Sequence, residues 1–241
     1  MDTERRATAP HSAHSGPSAT PAAEPERSVR VWDVPTRLFH WLAALLVAVA
    51  WVSQHFNWMD LHVRAGETLL ALVLFRLMWG ACGSETARFA RFVASPAAAW
   101  RHLRHVLRRE PDAQVGHNAA GGWMVLLLLA LLAVETLSGL YVNNDIENEG
   151  PLSEHVSAAF ANAISALHAY GWDVLAAAVA LHVCAIVVYA IAKGHNLLGP
   201  MLTGRKRLPA SVRAPARASL WLAVLLMGCA ALVTALLAMY L

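Results

Sequence analysis

Five stretches of the chain are almost unbroken apolar runs: residues 41–58, 69–82 with a polar lead-in from 61, 123–142, 167–191 and 220–241. Four of them are long enough for a helix that crosses a hydrocarbon core about 30 Å thick. The second qualifies only if its helix begins near His62. Runs of this length exceed what a soluble core uses, so the pattern predicts an all-α membrane protein with five spans. Between the second and third runs the pattern changes. Phe89, Phe92, Val93, Trp100, Leu103, Val106 and Leu107 recur at near-helical spacing against Arg91, Arg101, Arg104 and Arg108. That spacing predicts an amphipathic helix lying on the membrane surface, with His102 and His105 turned to solvent beside the arginines. The connection over residues 143–165 is acidic and has room for a short helix over 153–167, with His155 at its surface. Ahead of the first run, residues 1–28 are rich in Ala, Pro, Ser, Thr and charge. Such a tail cannot bury enough surface to fold, and without an apolar core it is no signal peptide. His11 and His14 belong to it.

Composition and charge sharpen this picture. The chain is 57% hydrophobic and 15% charged, against about 25% charged in a typical soluble domain. Seventeen of its nineteen Lys and Arg residues lie before the first run or in the second and fourth connections. Arg64 alone sits in the first connection, and the third has none, only Asp145, Glu147, Glu149 and Glu154. The positive-inside rule then puts the N-terminus in the cytoplasm. A pI near 9.0 accordingly reflects orientation against membrane lipid and implies no nucleic-acid partner. Cys82, Cys184 and Cys229 stand alone in or beside apolar runs, with no CxxCH and no set of four for an iron–sulfur cluster. They are expected to be small buried hydrophobes.

Candidate chemistry comes from histidines at matched depths. His168 and His182 lie 14 residues apart on the fourth run, which on a helix is about 21 Å of rise and about 40° of rotation. Both imidazoles therefore face one way at two depths of the bilayer, where ionisable groups are costly and usually functional. His40 lies near the inner surface on the first span. On the second, His62 is near the outer surface, and Arg76 follows 14 residues later at the inner level. A b-type haem iron accepts two axial imidazoles, and a helical bundle places side chains from facing helices in one core. The depths thus admit two bis-histidine haems, His40 with His182 and His62 with His168, about 20 Å apart. His55 competes for the outer position, being 15 residues after His40 and about 60° off its face. Arg76 either snorkels to headgroups or supplies the counter-charge for a propionate of the inner haem. Glu67, Glu135 and His117 are candidates for carrying protons from a bound quinol. Gly121 and Gly122 permit close approach of a helix or a flat ligand. His195 stands at the exit of the fourth span.

Several motifs, RVWDVPTRLFHW, HxxxGxxxLALVLFRLMWG from His62, RFARFVASPAAAW, GHNAAGGWMV and NLLGPMLTGRKR, occur in order over about residues 29–208. The set resembles the bacterial cytochrome b561 and nickel–iron hydrogenase cytochrome b subunit family. The resemblance implies a four-helix transmembrane di-haem bundle over residues 29–208; the linker and fifth transmembrane helix over 209–241 are predicted from the last apolar run alone. It further implies two haem b groups with axial ligands His40, His62, His168 and His182. Electrons would pass between the quinone pool and a partner such as a hydrogenase or a c-type cytochrome at the bacterial inner membrane. The expected role is an electron-transfer subunit, with no catalytic residue assigned. Ala119 stands where the family motif reads GHNP, and the fifth span lies outside the resemblance. The rival readings are a histidine-bearing metal transporter and a haem-free anchor subunit. The colour of the membranes separates all three.

Overall fold

The computed structural model describes residues 25–105, 114–143 and 150–240. Five helices in it are long and apolar enough to cross a membrane. The first, α1, spans Val34–His55, and α2 spans Met59–Cys82. A 3₁₀ turn over Glu85–Ala87 and two short helices, α3 (Phe89–Phe92) and α4 (Pro96–Arg104), lead to α5 (Ala119–Gly139). Helix α6 covers Ala158–Val188 and runs directly into a π turn over Tyr189–Lys193. After α7 (Leu198–Thr203), the final span is α8 (Leu220–Tyr240).

The helical expectation holds, with one addition. Glu26–Arg30 forms a strand, β1, antiparallel to β2 (Arg205–Pro209). It begins inside the segment expected to be unfolded, because its partner lies some 180 residues further on and local composition carries no trace of it. Arg30 and Arg205 sit directly opposite each other, a like-charge pairing that disfavours the sheet. Burial of Val29, Val31 and Leu208 against Trp32, Val115 and Val212 holds it closed.

Local chemistry sets the helix ends. Asp33 caps α1, its Oδ1 accepting from Thr36 N–H at 2.7 Å, and Pro35 stands in the first turn, where its missing N–H costs nothing. Ser95 caps α4, Asn118 caps α5 and Ser157 caps α6. The single surface helix expected between the second and third spans is broken into two pieces, α3 and α4, because Pro96 starts a new helix. The short outer helix expected over 153–167 is mostly the first turns of α6; only a 3₁₀ turn at Ser153–His155 stands apart.

Helix α2 is the pivot of the bundle, packing against α1, α5 and α8. It buries Leu69, Leu70, Val73, Phe75, Arg76 and Trp79, whereas α1 buries only Pro35, Thr36, Ala43 and Ser53. Large apolar side chains on the outer faces, among them Leu45, Trp51, Leu181 and Trp221, are exposed, as lipid-facing positions of a membrane bundle are. Cys82, Cys184 and Cys229 share that exposure. The expectation of buried cysteines fails, because in lipid an apolar side chain needs no protein cover. Helix α8 lies along α2, with Ala223 and Ala230 against Phe75 and Trp79.

The sheet, α3, α4 and α7 gather at one end of the bundle, here the basic end; the tight α1–α2 turn marks the far end. Arg37 belongs to the basic end, donating to the carbonyls of Met201 and Leu202. Several sequence expectations fall outside the described residues: Val106, Leu107, Arg108 and Arg109 of the surface segment, Asp145, Glu147 and Glu149 of the acidic loop, and His11 and His14 of the tail.

Candidate functional site

The site lies in the packing of α6. Among the described residues this helix packs closely only on α5 and its own π turn, and it is not among the close neighbours of α1 or α2. Bundle helices in contact have axes about 8–10 Å apart, so α6 faces α1 and α2 across a wider gap. Four histidines meet in that gap. His40 of α1 and His182 of α6 have ring centroids 6.3 Å apart with planes at 56°. His62 of α2 and His168 of α6 have centroids 6.2 Å apart with planes at 87°. With a metal–nitrogen bond of about 2 Å and a ring nitrogen about 1.2 Å from its centroid, two imidazoles sharing one metal ion have centroids about 6.3 Å apart. Both pairs have that spacing. Each pair joins two helices at one depth, and a layer of Val73, Leu132 and Leu175 lies between the two depths.

At the far end a cavity of about 560 Å³ opens between α1, α2, α5 and α6, with His62 and His168 in its wall. Gly66, one turn after His62, lines it, and a Cβ there would meet nothing within 4 Å. A Cβ at Gly139 would lie 3.4 Å from the His168 ring. Both glycines keep the space beside the imidazoles clear. His62 Nδ1 donates to the Ala50 carbonyl at 2.8 Å. His168 Nδ1 donates to the Glu135 carbonyl at 3.1 Å and lies 3.0 Å from Ser138 Oγ. A carbonyl can only accept, so these bonds fix the tautomer and leave each Nε2 lone pair available to a metal. His55, the sequence competitor, stacks on Trp51 at 5.9 Å instead of meeting His168. It lines the same cavity, as do Glu67 and Glu135. Glu135 Oε2 comes within 3.4 Å of His168 Nδ1. Its other oxygen is buried without a hydrogen-bond partner and lies over Gly171, where a Cβ would collide with it.

The basic end is built differently. His40 Nδ1 is buried and has no hydrogen-bond partner among the described residues. Arg76 is 2% exposed, so it does not snorkel to headgroups. Its Nη1 donates to the Ala87 carbonyl at 3.1 Å, and its guanidinium lies over Phe89 at 5.1 Å. Trp79 Nε1 donates to Asp33 Oδ2 at 3.1 Å, so the α1 cap also ties α1 to α2. His117 is wedged between Trp32 and Phe92, with both centroids at 4.6 Å. Burial, followed by the nearby Arg76 guanidinium and the rings of His182 and His40, pushes its pKa down to about 3, which keeps the imidazole neutral. Gly122 does permit a close approach, by α3: a Cβ there would stand 2.7 Å from the Phe92 carbonyl oxygen. A Cβ at Gly121 would meet the Asn118 cap at 3.2 Å, and then His117 Cβ at 4.0 Å.

His102 departs from expectation. It does not follow the arginines into solvent; its Nε2 lies 2.6 Å from the hydroxyl of buried Tyr189. Asn118 also hydrogen-bonds that hydroxyl, so α4, the start of α5 and the π turn are joined at one atom. His195 N–H closes the π turn on the Tyr189 carbonyl at 3.1 Å. The sequence reading had missed Tyr189, Ser138 and Asp33. Asp33 before Pro35 carried a capping signal; a hydroxyl inside an apolar run carried none.

Five helices long and apolar enough to cross a membrane define a multi-pass membrane protein, in which two imidazole pairs face each other across a gap. The chain matches the family model described as prokaryotic cytochrome b561 over residues 31–204, and it belongs to that family. No curated protein and no solved structure matches it. It is therefore a membrane cytochrome of the b561 family, whose traits are haem b binding and electron transport. Among the described residues no three His, Cys, Asp or Glu side chains gather as a metal site; His40 with His182, and His62 with His168, are the pairs that could hold a metal-centred group.

Proposed function

We propose that the chain relays single electrons across the bacterial cytoplasmic membrane through two haem b groups, one held by His40 and His182 and one by His62 and His168. The observation that carries this reading is the spacing of the two imidazole pairs, 6.3 and 6.2 Å between centroids, at opposite ends of one gap. Haem b supplies reversible one-electron iron chemistry when bound. The protein's part is to hold the ligand rings, keep water out and set the charge around each site. Ala50 and Glu135 do the first through their carbonyls, and Arg76 contributes positive charge at the basic end. Electrons would enter or leave through a membrane quinone or quinol on one side and through a hydrogenase or a c-type cytochrome on the other. The clustering of Lys and Arg supports a cytoplasmic basic end and N-terminus.

The test is a pyridine haemochrome assay, with a dithionite-reduced spectrum, on the purified full-length chain. Two haem b per chain are expected, falling to one in His40→Ala and in His62→Ala and staying at two in His55→Ala. A colourless preparation from haem-replete cells would overturn the reading.

A further inference from the structure

The relay makes no use of a polar pocket of about 330 Å³ at the basic end. Four separate segments converge to form it: Glu85 and Thr86 of the 3₁₀ turn, Arg91 of α3, Gln114 and Gly116 ahead of α5, and Arg213 of the connection to α8. Local bonds hold its walls. Gly116 turns the chain at a φ of 84°, and a Cβ there would stand 3.5 Å from the Thr86 methyl group. Gln114 Nε2 donates to the His117 carbonyl at 2.9 Å. On the α8 side, Glu85 Oε2 accepts from Ala216 N–H at 2.8 Å.

Charge in this pocket is unbalanced. Arg91 and Arg213 are exposed, and among the described residues neither guanidinium makes a hydrogen bond or a salt bridge. Glu85 stands in the same wall, yet its Oε2 goes to the Ala216 N–H and to neither arginine. Lys206 brings a further cation to the rim, its Nζ donating to the Gln114 carbonyl at 2.8 Å. A concave polar site lined by two unneutralised guanidiniums selects an anion, and the planar fork of arginine fits phosphate oxygens two at a time.

The depth of the pocket says where such a phosphate comes from. Helix α2 ends at Cys82, three residues before Glu85; α5 begins at Ala119, three after Gly116; and α8 begins at Leu220, seven after Arg213. Three spans thus begin or end beside it, which puts it at the level of the lipid headgroups. Trp221, in the first turn of α8, is 83% exposed, and tryptophan is a residue type that settles at that interface.

We infer that the pocket seats the phosphate of an anionic phospholipid between Arg91 of α3 and Arg213 of the connection to α8. The headgroup then ties α8, which lies outside the family match over residues 31–204, to the matched bundle.

The test titrates the full-length chain, purified in an uncharged detergent, with phosphatidylglycerol, phosphatidylcholine or inorganic phosphate, and reads occupancy by native mass spectrometry. Phosphatidylglycerol should bind about tenfold more tightly than phosphatidylcholine, whose own cation cancels the phosphate charge. Arg91→Gln and Arg213→Gln should each weaken it about fivefold, the contribution of one basic side chain beside an anionic leaflet. Arg101→Gln, at an exposed arginine of α4 outside the pocket, should leave binding unchanged. Circular dichroism checks that each variant is folded, and if one of the two pocket variants is not, the other decides. Equal affinity for the two lipids, or an equal loss in Arg101→Gln, would overturn the inference and leave only diffuse attraction to the basic end. Inorganic phosphate displacing phosphatidylglycerol at matching concentration would overturn the lipid assignment and give the pocket to a soluble phosphate.

Discussion

The two ends of the gap hold the same pair of side chains at nearly the same separation, yet almost nothing around the pairs is alike. At the far end both Nδ1 atoms have carbonyl acceptors, and two carboxylates, Glu67 and Glu135, line the cavity. At the basic end His40 Nδ1 has no partner among the described residues, and α2 contributes a buried cation, Arg76. A histidine that gives up its second N–H is a more basic ligand, and neighbouring anions favour the ferric state further. Every difference pushes the same way. If each pair holds a haem as proposed, these surroundings favour the ferric state at the far end and would give that haem the lower potential.

Removing the pairs one at a time has the largest expected effect. His40→Ala should leave only the lower-potential haem and His62→Ala only the higher, each with half the parental haem content. If each variant retained the opposite wave, the ordering would be wrong even with both haems in place. In the unsubstituted chain a redox titration should show two waves separated by on the order of 100 mV. A hydrogen bond of about 1 kcal/mol corresponds to roughly 40 mV for one electron, and several such differences add. Ser138→Ala should raise the far-end wave by tens of millivolts at most, by loosening the His168 Nδ1 contact, and leave the basic-end wave alone.

Two glycine variants sharpen the contrast in packing. At the basic end a Cβ on Gly80 would fall on the Phe89 ring. Gly80→Ala should therefore destabilise the fold by about 1–3 kcal/mol, as overpacking does, and lower the thermal unfolding midpoint with little change in haem spectrum. At the far end a Cβ on Gly66 meets nothing of the chain. Gly66→Ala should leave unfolding unchanged and instead reduce far-end haem occupancy. The reverse pattern, with Gly66→Ala unfolding early and retaining haem, would show that the far-end cavity closes on itself and does not receive a ligand.

How much of this was legible beforehand follows from where each signal lies. The spans and the depth of each histidine are properties of single helices, so run length and the 14-residue spacing carried them. The preference for His62 over His55 leaned on the family resemblance, since both are near the outer surface and the choice rests on how α1 and α2 turn about Phe56–Trp58, where Asn57 adopts positive φ. The β1–β2 pairing, the meeting of His102 with Tyr189 and the burial of Arg76 against Ala87 each join segments far apart in the chain. Each also involves residues that look like ordinary surface or loop residues one at a time. The cysteines misled for a different reason: burial was inferred from apolarity, a rule of aqueous cores that lipid removes.

The smallest effect expected concerns how the basic end is fastened to α8, a tether with Glu85 at its centre. Glu85 N–H donates to the Ala216 carbonyl at 2.9 Å, its Oε2 accepts from Ala216 N–H at 2.8 Å, and Ser84 Oγ accepts from Ala218 N–H at 3.1 Å. The Ala216 N–H holds the Glu85 carboxyl below its usual range, against a small opposing effect of burial and with help from Arg91, Arg213 and Arg88. A carboxyl whose pKa is depressed by folding adds stability above its unfolded value and loses that contribution as pH falls through the folded one. Acidification below the ordinary carboxylate range should therefore lower the amide protection factors at Ala216 and Ala218, taken relative to the intrinsic rate at each pH. Glu85→Gln should show the lower protection already at neutral pH, with no further fall on acidification. Because Glu85 is only half-buried, the change should be confined to this tether, leaving global stability within error. Glu154→Gln, at an exposed carboxylate in the far-end 3₁₀ turn, is the control. An equal response there would mean that acid loosens both ends alike, and the basic end would lose its claim to a separately fastened α8.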